Sequence, residues 1–213
     1  MSVRIGILVG SILAFLLVIG FGIAMAIIRI DPAPAMDQWW ESVMVSARNP
    51  AITPFALFLD FFGNGWIARV ILPVLVIAAL LVFRRPWSAL FFAVCLIASV
   101  IAVQTIKNLV GRPRPLHALV QSDFGSYPSG HVANAVTLVV ALGLITRFAW
   151  VWLIGAIYAI LMLLSRTYLG IHWLTDTLAS VLLGAAVVLL LALVFSTKLH
   201  GELTKVRTPH APR

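Results

Sequence analysis

Apolar residues run through this chain in six long blocks, approximately residues 5–28, 66–83, 88–106, 131–146, 149–165 and 172–195. A helix needs about 20 residues to cross the hydrocarbon core of a bilayer, with about 17–25 observed. The first and last blocks clear this easily. The fourth and fifth are at the short end, and they fit if their polar ends reach the interface or a water-filled cleft. Helix is the expected form throughout, because lipid offers no water to satisfy an open strand edge. The predicted fold is therefore all-α, a polytopic membrane helical bundle of six transmembrane helices, with residues 1–197 as one domain.

The longest stretch outside the blocks, residues 29–65, has a pattern of its own. Met36, Trp39, Trp40, Val43 and Ala47 recur at helical spacing, interleaved with Asp37, Glu41 and Arg48. That pattern fits a short helix lying in the membrane interface, where Trp is favoured. A second short helix is expected over 54–62, with Thr53 as N-cap, Pro54 as its first residue and Gly63 as its stop. An ordinary packed connector and a lipid-facing gate fit this stretch equally well. The last residues, 198–213, are polar and basic with two prolines, and they read as a disordered tail close to anionic headgroups.

Composition agrees with a membrane setting. The chain is 62% hydrophobic and 10% charged, with a mean hydropathy of +1.08, whereas soluble domains carry about 25% charged residues. The net charge of +8 does not point to nucleic acid, because the cations sit at the ends of apolar runs, where snorkelling and topology-setting residues belong. Arg4 before the first block, and Ala24-Met25-Ala26 within it, imitate a secretory signal. The block exceeds the roughly 7–15 residues of a signal core, so a retained signal-anchor is expected. The single cysteine, Cys95, excludes an intramolecular disulfide framework and reads as a small buried hydrophobe.

Three polar segments interrupt the apolar pattern, and charges beside membrane helices point to function. Lys107 to Pro115 closes the third block. Pro128-Ser129-Gly130-His131 opens the fourth. Ser165-Arg166 ends the fifth, and His172 with Asp176 begins the sixth. A six-helix chain puts all three at one face. Lys107, Arg114 and Arg166 then converge as cations suited to phosphate oxygens. Ser129 and Gly130 open a helix whose free N–H groups and dipole favour an anion. His172 and Asp176, four apart, share a helix face. A carboxylate on the imidazole Nδ1–H would leave Nε2 free to attack, and His131 is placed to protonate a leaving oxygen.

The cations also bear on orientation. They divide almost evenly between the two sides, and only with Lys107, Arg114 and Arg166 assigned to the site does one side hold the excess. The positive-inside rule then puts both termini in the cytoplasm of a multi-pass protein of the cell membrane, with the site at the extracytoplasmic face.

The three segments resemble the tripartite signature of the type 2 phosphatidic acid phosphatase (PAP2) superfamily: Lys, six residues, Arg-Pro; then Pro-Ser-Gly-His; then Ser-Arg, five residues, His, three residues, Asp. Lys107 to Arg114-Pro115, Pro128 to His131, and Ser165-Arg166 to His172 to Asp176 match every element and spacing. The resemblance implies an integral membrane lipid phosphatase. His172 would form a phosphohistidine, Asp176 would orient it, and His131 would act as acid and then base. Lys107, Arg114, Ser129, Gly130 and Arg166 would hold the phosphoryl oxygens, with no metal and no cofactor. Arg112 falls outside the spacing and reads as a supporting or headgroup contact. His117 and Asp123 read as solvated loop residues, and Tyr127 and Trp173 as interfacial packing.

The implied partner is a lipid phosphomonoester or pyrophosphate of the undecaprenyl pyrophosphate, phosphatidylglycerophosphate or phosphatidic acid type, taken from the bilayer. Transfer of the phosphoryl group to a lipid or sugar acceptor is the alternative use of the same residues. A non-catalytic transporter or scramblase is the alternative of another class, and both catalytic histidines speak against it. The haloperoxidases that share the motifs are soluble, unlike this composition.

Overall fold

The computed structural model describes residues 3–28, 33–64 and 66–207, and among these it contains helix and no strand. The helices are α1 (Val3–Ile28), α2 (Ala35–Ser46), α3 (Ile52–Asn64), α4 (Leu72–Val82), α5 (Pro86–Val110), α6 (Gly130–Thr146), α7 (Ala149–Tyr168) and α8 (Leu174–Arg207), with a π-helical turn at Ile67–Ile71 leading into α4. Local chemistry sets several ends. Pro86 opens α5, where its missing N–H costs nothing, and Gly111 closes it in the left-handed conformation. After α7 the chain turns at Gly170, also at positive φ, where a Cβ would lie 2.6 Å from the His117 carbonyl oxygen. Only glycine fits that crossing.

α8 is the central post, and α1, α5 and α6 all pack on it. Phe91, Phe92, Cys95, Leu138, Ile145 and Val188 fill the core at one end, and Val18, Val103, Tyr127, Ala133 and Leu183 fill it nearer the polar loops. The outer faces stay apolar: Leu16, Leu17, Leu75, Ile97, Ile101 and Leu153 are exposed, as a bilayer requires. Cys95 is buried and free.

Four helices, Val3–Ile27, Pro86–Val110, Ala149–Tyr168 and Leu174–Glu202, are long and apolar enough to span a membrane. A fifth span exists if Ile52–Gly63 and Ile67–Val82, bent by 43°, are one broken helix. This departs from the expected six in two ways. If the pair is one span, the block at 66–83 is its second arm and the short helix placed at 54–62 its first. α6 has 17 residues, about 25 Å of rise against a core of about 30 Å. Its N-terminus stops at the polar cleft, so its backbone there need not cross lipid. The cap of α3 also differs: Asn49 Oδ1 accepts from the Ala51 and Ile52 amides, while Thr53 bonds the Tyr168 hydroxyl.

The tail expected to be disordered from residue 198 is helical as far as Arg207. Its Glu202 carboxylate accepts from the amides of Trp87 and Ser88 and from the Ser88 hydroxyl at 2.5, 3.0 and 2.7 Å. It thus caps the first turn of α5, whose own N-cap position supplies no side-chain bond. Lys198 lies over the Trp87 ring. These contacts give the tail a surface to fold on. Residues 208–213, including His210, lie outside the described residues.

Candidate active site

The C-termini of α5 and α7 and the N-termini of α6 and α8 meet at one end of the bundle. A cavity of roughly 210 Å³ there is lined by Lys107, Arg114, Gly130, His131 and His172, together with Asp60 and Arg69. The three polar segments therefore do converge, and two charged residues that the sequence pattern did not single out join them.

His172 lies in the turn between α7 and α8, outside both spans, and is 4% exposed. Its Nδ1 is 2.7 Å from the Ser126 carbonyl oxygen and 3.6 Å from Asp176 Oδ2. The carbonyl, not the carboxylate, takes the Nδ1–H, so the expected Asp176 bond is replaced by a backbone acceptor. Nε2 then carries the lone pair. Burial, which outweighs the carboxylate of Asp176, pushes the His172 pKa from its ordinary 6.5 to about 4. The ring is neutral at pH 7.

Asp176 is held from the other side. Arg112 Nη1 reaches its Oδ1 at 2.5 Å, and the Trp173 amide reaches its Oδ2 at 2.9 Å. Arg112 Nη2 pairs with Asp37 Oδ2 at 2.6 Å. Asp37 also accepts from the Thr175 amide and hydroxyl. The guanidinium and both carboxylates are almost wholly buried, with side-chain exposures of 5%, 0% and 0%. Arg112 is thus no headgroup contact. It is the centre of a buried triad that ties α2 to the start of α8. Trp173 packs over it at 5.3 Å and bonds the Pro113 carbonyl.

The three predicted phosphate cations are held in two ways. Lys107 Nζ donates to the Gly125 carbonyl at 2.9 Å. Arg114 donates from Nε to the Asp123 carbonyl and from Nη1 to the Ile171 carbonyl, at 2.9 and 2.6 Å. Carbonyls aim these cations without neutralising them. Arg166 differs: it is fully buried, and its Nη1 forms an ion pair with Asp60 Oδ1. Its Nη2 donates to the Ser165 hydroxyl at 2.8 Å, which donates on to the Ala56 carbonyl.

Asp60 is also 3.9 Å from His131 Nε2, a buried nitrogen with no hydrogen-bond partner among the described residues. The last turn of α3 brings both close, since a Cβ at Gly63 would lie 3.0 Å from His131 Cδ2. Sequence reasoning placed only Asp123 and Asp176 near the site. The signal for Asp60 was a carboxylate inside the apolar run 54–62, a charge that must find a partner there.

Ser129 N-caps α6 without a side-chain bond, and its buried hydroxyl has no hydrogen-bond partner among the described residues. Its amide faces the Asp176 carbonyl at 3.5 Å, so the amides aimed at the cleft are those after it. Tyr127 is buried and donates to the Val18 carbonyl, which makes it core and not interfacial packing. Exposed His117 pairs with Glu41 at 3.1 Å. No group of three or more His, Cys, Asp or Glu side chains is arranged to hold a metal among the described residues.

Comparison with known proteins gives the family and the fold. A family model described as the PAP2 superfamily matches residues 88–199. Phosphatidylglycerophosphatase B of Bacillus subtilis (strain 168) is 28% identical over 77% of this chain and 85% of its own. An undecaprenyl-diphosphatase of Sulfolobus acidocaldarius is 30% identical over 70% of this chain and 72% of its own. A decaprenylphosphoryl-5-phosphoribose phosphatase of Mycobacterium tuberculosis is 31% identical over 68% and 85%. In fold, the chain resembles a transmembrane PAP2-type phosphatidylglycerolphosphate phosphatase from Bacillus subtilis, with a TM-score of 0.75 at 22% identity over 94% of this chain and 98% of that one. Aquifex aeolicus LpxE aligns with a TM-score of 0.66 at 22% identity over 76% and 98%.

Proposed function

The chain belongs to the PAP2 superfamily, among its membrane lipid phosphatases, and we propose that it hydrolyses a lipid phosphomonoester or pyrophosphate through a phosphohistidine at His172. The observation that carries this reading is the His172 ring, held through Nδ1 by the Ser126 carbonyl, in a cavity it shares with Lys107, Arg114 and His131.

In the first step His172 Nε2 attacks phosphorus in line. The N–P bond forms, the bond to the leaving oxygen breaks, and His131 donates the proton that oxygen needs. In the second step His131 takes a proton from water. The oxygen of that water attacks phosphorus, the N–P bond breaks, and inorganic phosphate leaves. Lys107, Arg114 and Arg166, with the first amides of α6 at Gly130 and the hydroxyl of Ser129, hold the equatorial oxygens as charge moves in the transition state. Asp176 holds the local field behind His172. Three protein cations do the work that a metal does elsewhere, so EDTA is expected to leave turnover intact.

The site is proposed to face outward, with both termini in the cytoplasm and lipid supplied from the bilayer. The test is the purified protein in proteoliposomes with lipid phosphates and no added acceptor. The wild-type protein is expected to release inorganic phosphate, and His172→Ala is expected to release none. Acid-labile, base-stable phosphoryl label on the wild-type protein after rapid alkaline quench, absent from His172→Ala, would mark the intermediate. Phosphate release by His172→Ala at the wild-type rate would end the reading. Release only when an acceptor is present would make the protein a phosphotransferase.

A further inference from the structure

The cavity around His172 does not end at His131. A second cavity of roughly 430 Å³ adjoins it, and Arg69, Gln104, Gly130 and His131 line both. From this neck it follows α5 back to Leu96, about 12 Å at 1.5 Å per residue. Its far walls are apolar, among them Pro73, Ile97 and Val100. Ile97 and Val100 are also exposed on the outer face of the bundle. Polar in the neck and apolar beyond, the space has the form of a lipid with its charged end at the site.

The neck contains a cation that the three motifs do not supply. Arg69 sits in the π-helical turn Ile67–Ile71, and Pro73 explains the turn. Proline has no N–H to give the carbonyl of Arg69, four residues back, and its ring crowds that oxygen. The helix widens instead, with the Leu72 amide bonding the Ile67 carbonyl. This wide turn sets the face on which Arg69 emerges, and such turns recur at functional sites. Arg69 acts on His131 electrostatically alongside Arg166 and Lys107. The guanidinium stands where the two cavities meet, beside Gln104 and His131.

We propose that Arg69 and Gln104 form a subsite for a second phosphoryl group, the one that leaves, and that the substrate class is therefore a lipid pyrophosphate. This rests on the phosphatase reading above. His131 is the group that meets the leaving oxygen, so whatever lies beyond it, at the neck, belongs to the leaving group. Gln104 is one turn before Lys107 on α5, about 4.5 Å of rise. That spacing suits two directly joined phosphoryl groups. A phosphodiester set off by a glycerol bridge would carry its anion further down, past Gln104 towards the apolar walls.

The step balances without another reactant. The terminal phosphorus passes to His172 Nε2, and the bridging P–O bond breaks. The bridging oxygen departs on the chain-bearing phosphate, its new charge met by the His131 proton and by Arg69. An alcohol leaving group develops no such phosphate charge at the neck.

The experiment compares farnesyl pyrophosphate with farnesyl monophosphate, equal in chain, using the full-length protein in detergent. The readout is the ratio of kcat/KM for the two substrates within each variant, so any loss of folded protein cancels. In Arg69→Gln the pyrophosphate-to-monophosphate ratio is expected to fall about 10- to 100-fold, the range of a lost hydrogen bond to a charged group. In Arg69→Lys, which keeps the charge, the ratio is expected to recover in part. An unchanged ratio in Arg69→Gln overturns the subsite while leaving the phosphatase reading in place. Phosphate release from neither lipid by the wild-type protein overturns that reading and the subsite with it.

Discussion

Removing the Arg112 side chain tests whether the buried triad holds the site together. In Arg112→Ala, Asp37 keeps only its two bonds from Thr175, and Asp176 keeps the Trp173 amide. Two fully buried carboxylates then lose the one cation that bonds them both. Breaking a buried pair by removing one partner costs about 3–5 kcal/mol. For a chain of this size each kcal/mol moves Tm by about 2–4 °C, so Tm should fall by about 6–20 °C. Intrinsic tryptophan fluorescence during heating in detergent reads this directly. Neutralising one of the stranded carboxylates, as Asp37→Asn in the Arg112→Ala background, should return part of the loss, and the double-mutant cycle should give a coupling well outside error. Arg114→Ala is the contrast: that side chain bonds two backbone carbonyls and strands no charge, so turnover should vanish with the smaller change in Tm. An Arg112→Ala protein with wild-type Tm and only a raised KM would refute the triad. It would restore the view of Arg112 as a headgroup contact.

Three further outcomes follow from the geometry. Burial disfavours the imidazolium of His172, so the folded protein binds that proton less readily than the unfolded chain. Above about pH 6.5 His172 leaves stability untouched, and stability declines as the pH falls from 6.5 towards about 4; the acid limb of kcat/KM should likewise lie near 4, and a limb near 6.5 would contradict it. Asp60→Asn frees Arg166 from its ion pair, so orthovanadate should raise Tm more in this variant than in the wild type; equal shifts would mean that Asp60 does not compete with the anion. A Cβ at Gly184 would lie 2.7 Å from the Ala133 carbonyl oxygen, so Gly184→Ala should push α8 off the turn that carries His131, cost about 1–3 kcal/mol and lower kcat, as heating curves and phosphate release would measure.

The parts of the site that could be read from the sequence are those fixed by local spacing. His172 and Asp176 share a face because they are four residues apart, and Lys107, Gly111 and Arg114 bracket a helix end whatever the rest of the fold does. The parts that could not be read depend on distant chain or on backbone. Asp37 meets Arg112 across 75 residues, and Asp60 meets Arg166 across 106; neither spacing has a period. The acceptor for His172 Nδ1 is a carbonyl, which no side-chain pattern records. The π-helical turn before α4 follows from Pro73, but the pattern of apolar residues runs on through it, so 66–83 looked like one complete span.

A stricter accounting of charge would have exposed the missing partners, and it also bears on how the cleft works. Asp37 and Asp60 lie in stretches otherwise apolar or interfacial, where an unpaired carboxylate is costly. Pairing them takes Arg112 and Arg166 and leaves Lys107 and Arg114 aimed by carbonyls. Of the three motif cations, two are therefore left aimed at the cleft by carbonyls, close to the roughly two negative charges of a phosphoryl group. Under the proposed mechanism Arg166 would add its charge when phosphate oxygens draw it from Asp60, and the same exchange would leave a carboxylate 3.9 Å from His131 Nε2. A carboxylate at that place favours the protonated ring that a leaving oxygen requires. In that mechanism, binding of the anion and arming of the acid would be linked through one side chain, which neither motif spacing nor the three-cation cradle alone would predict.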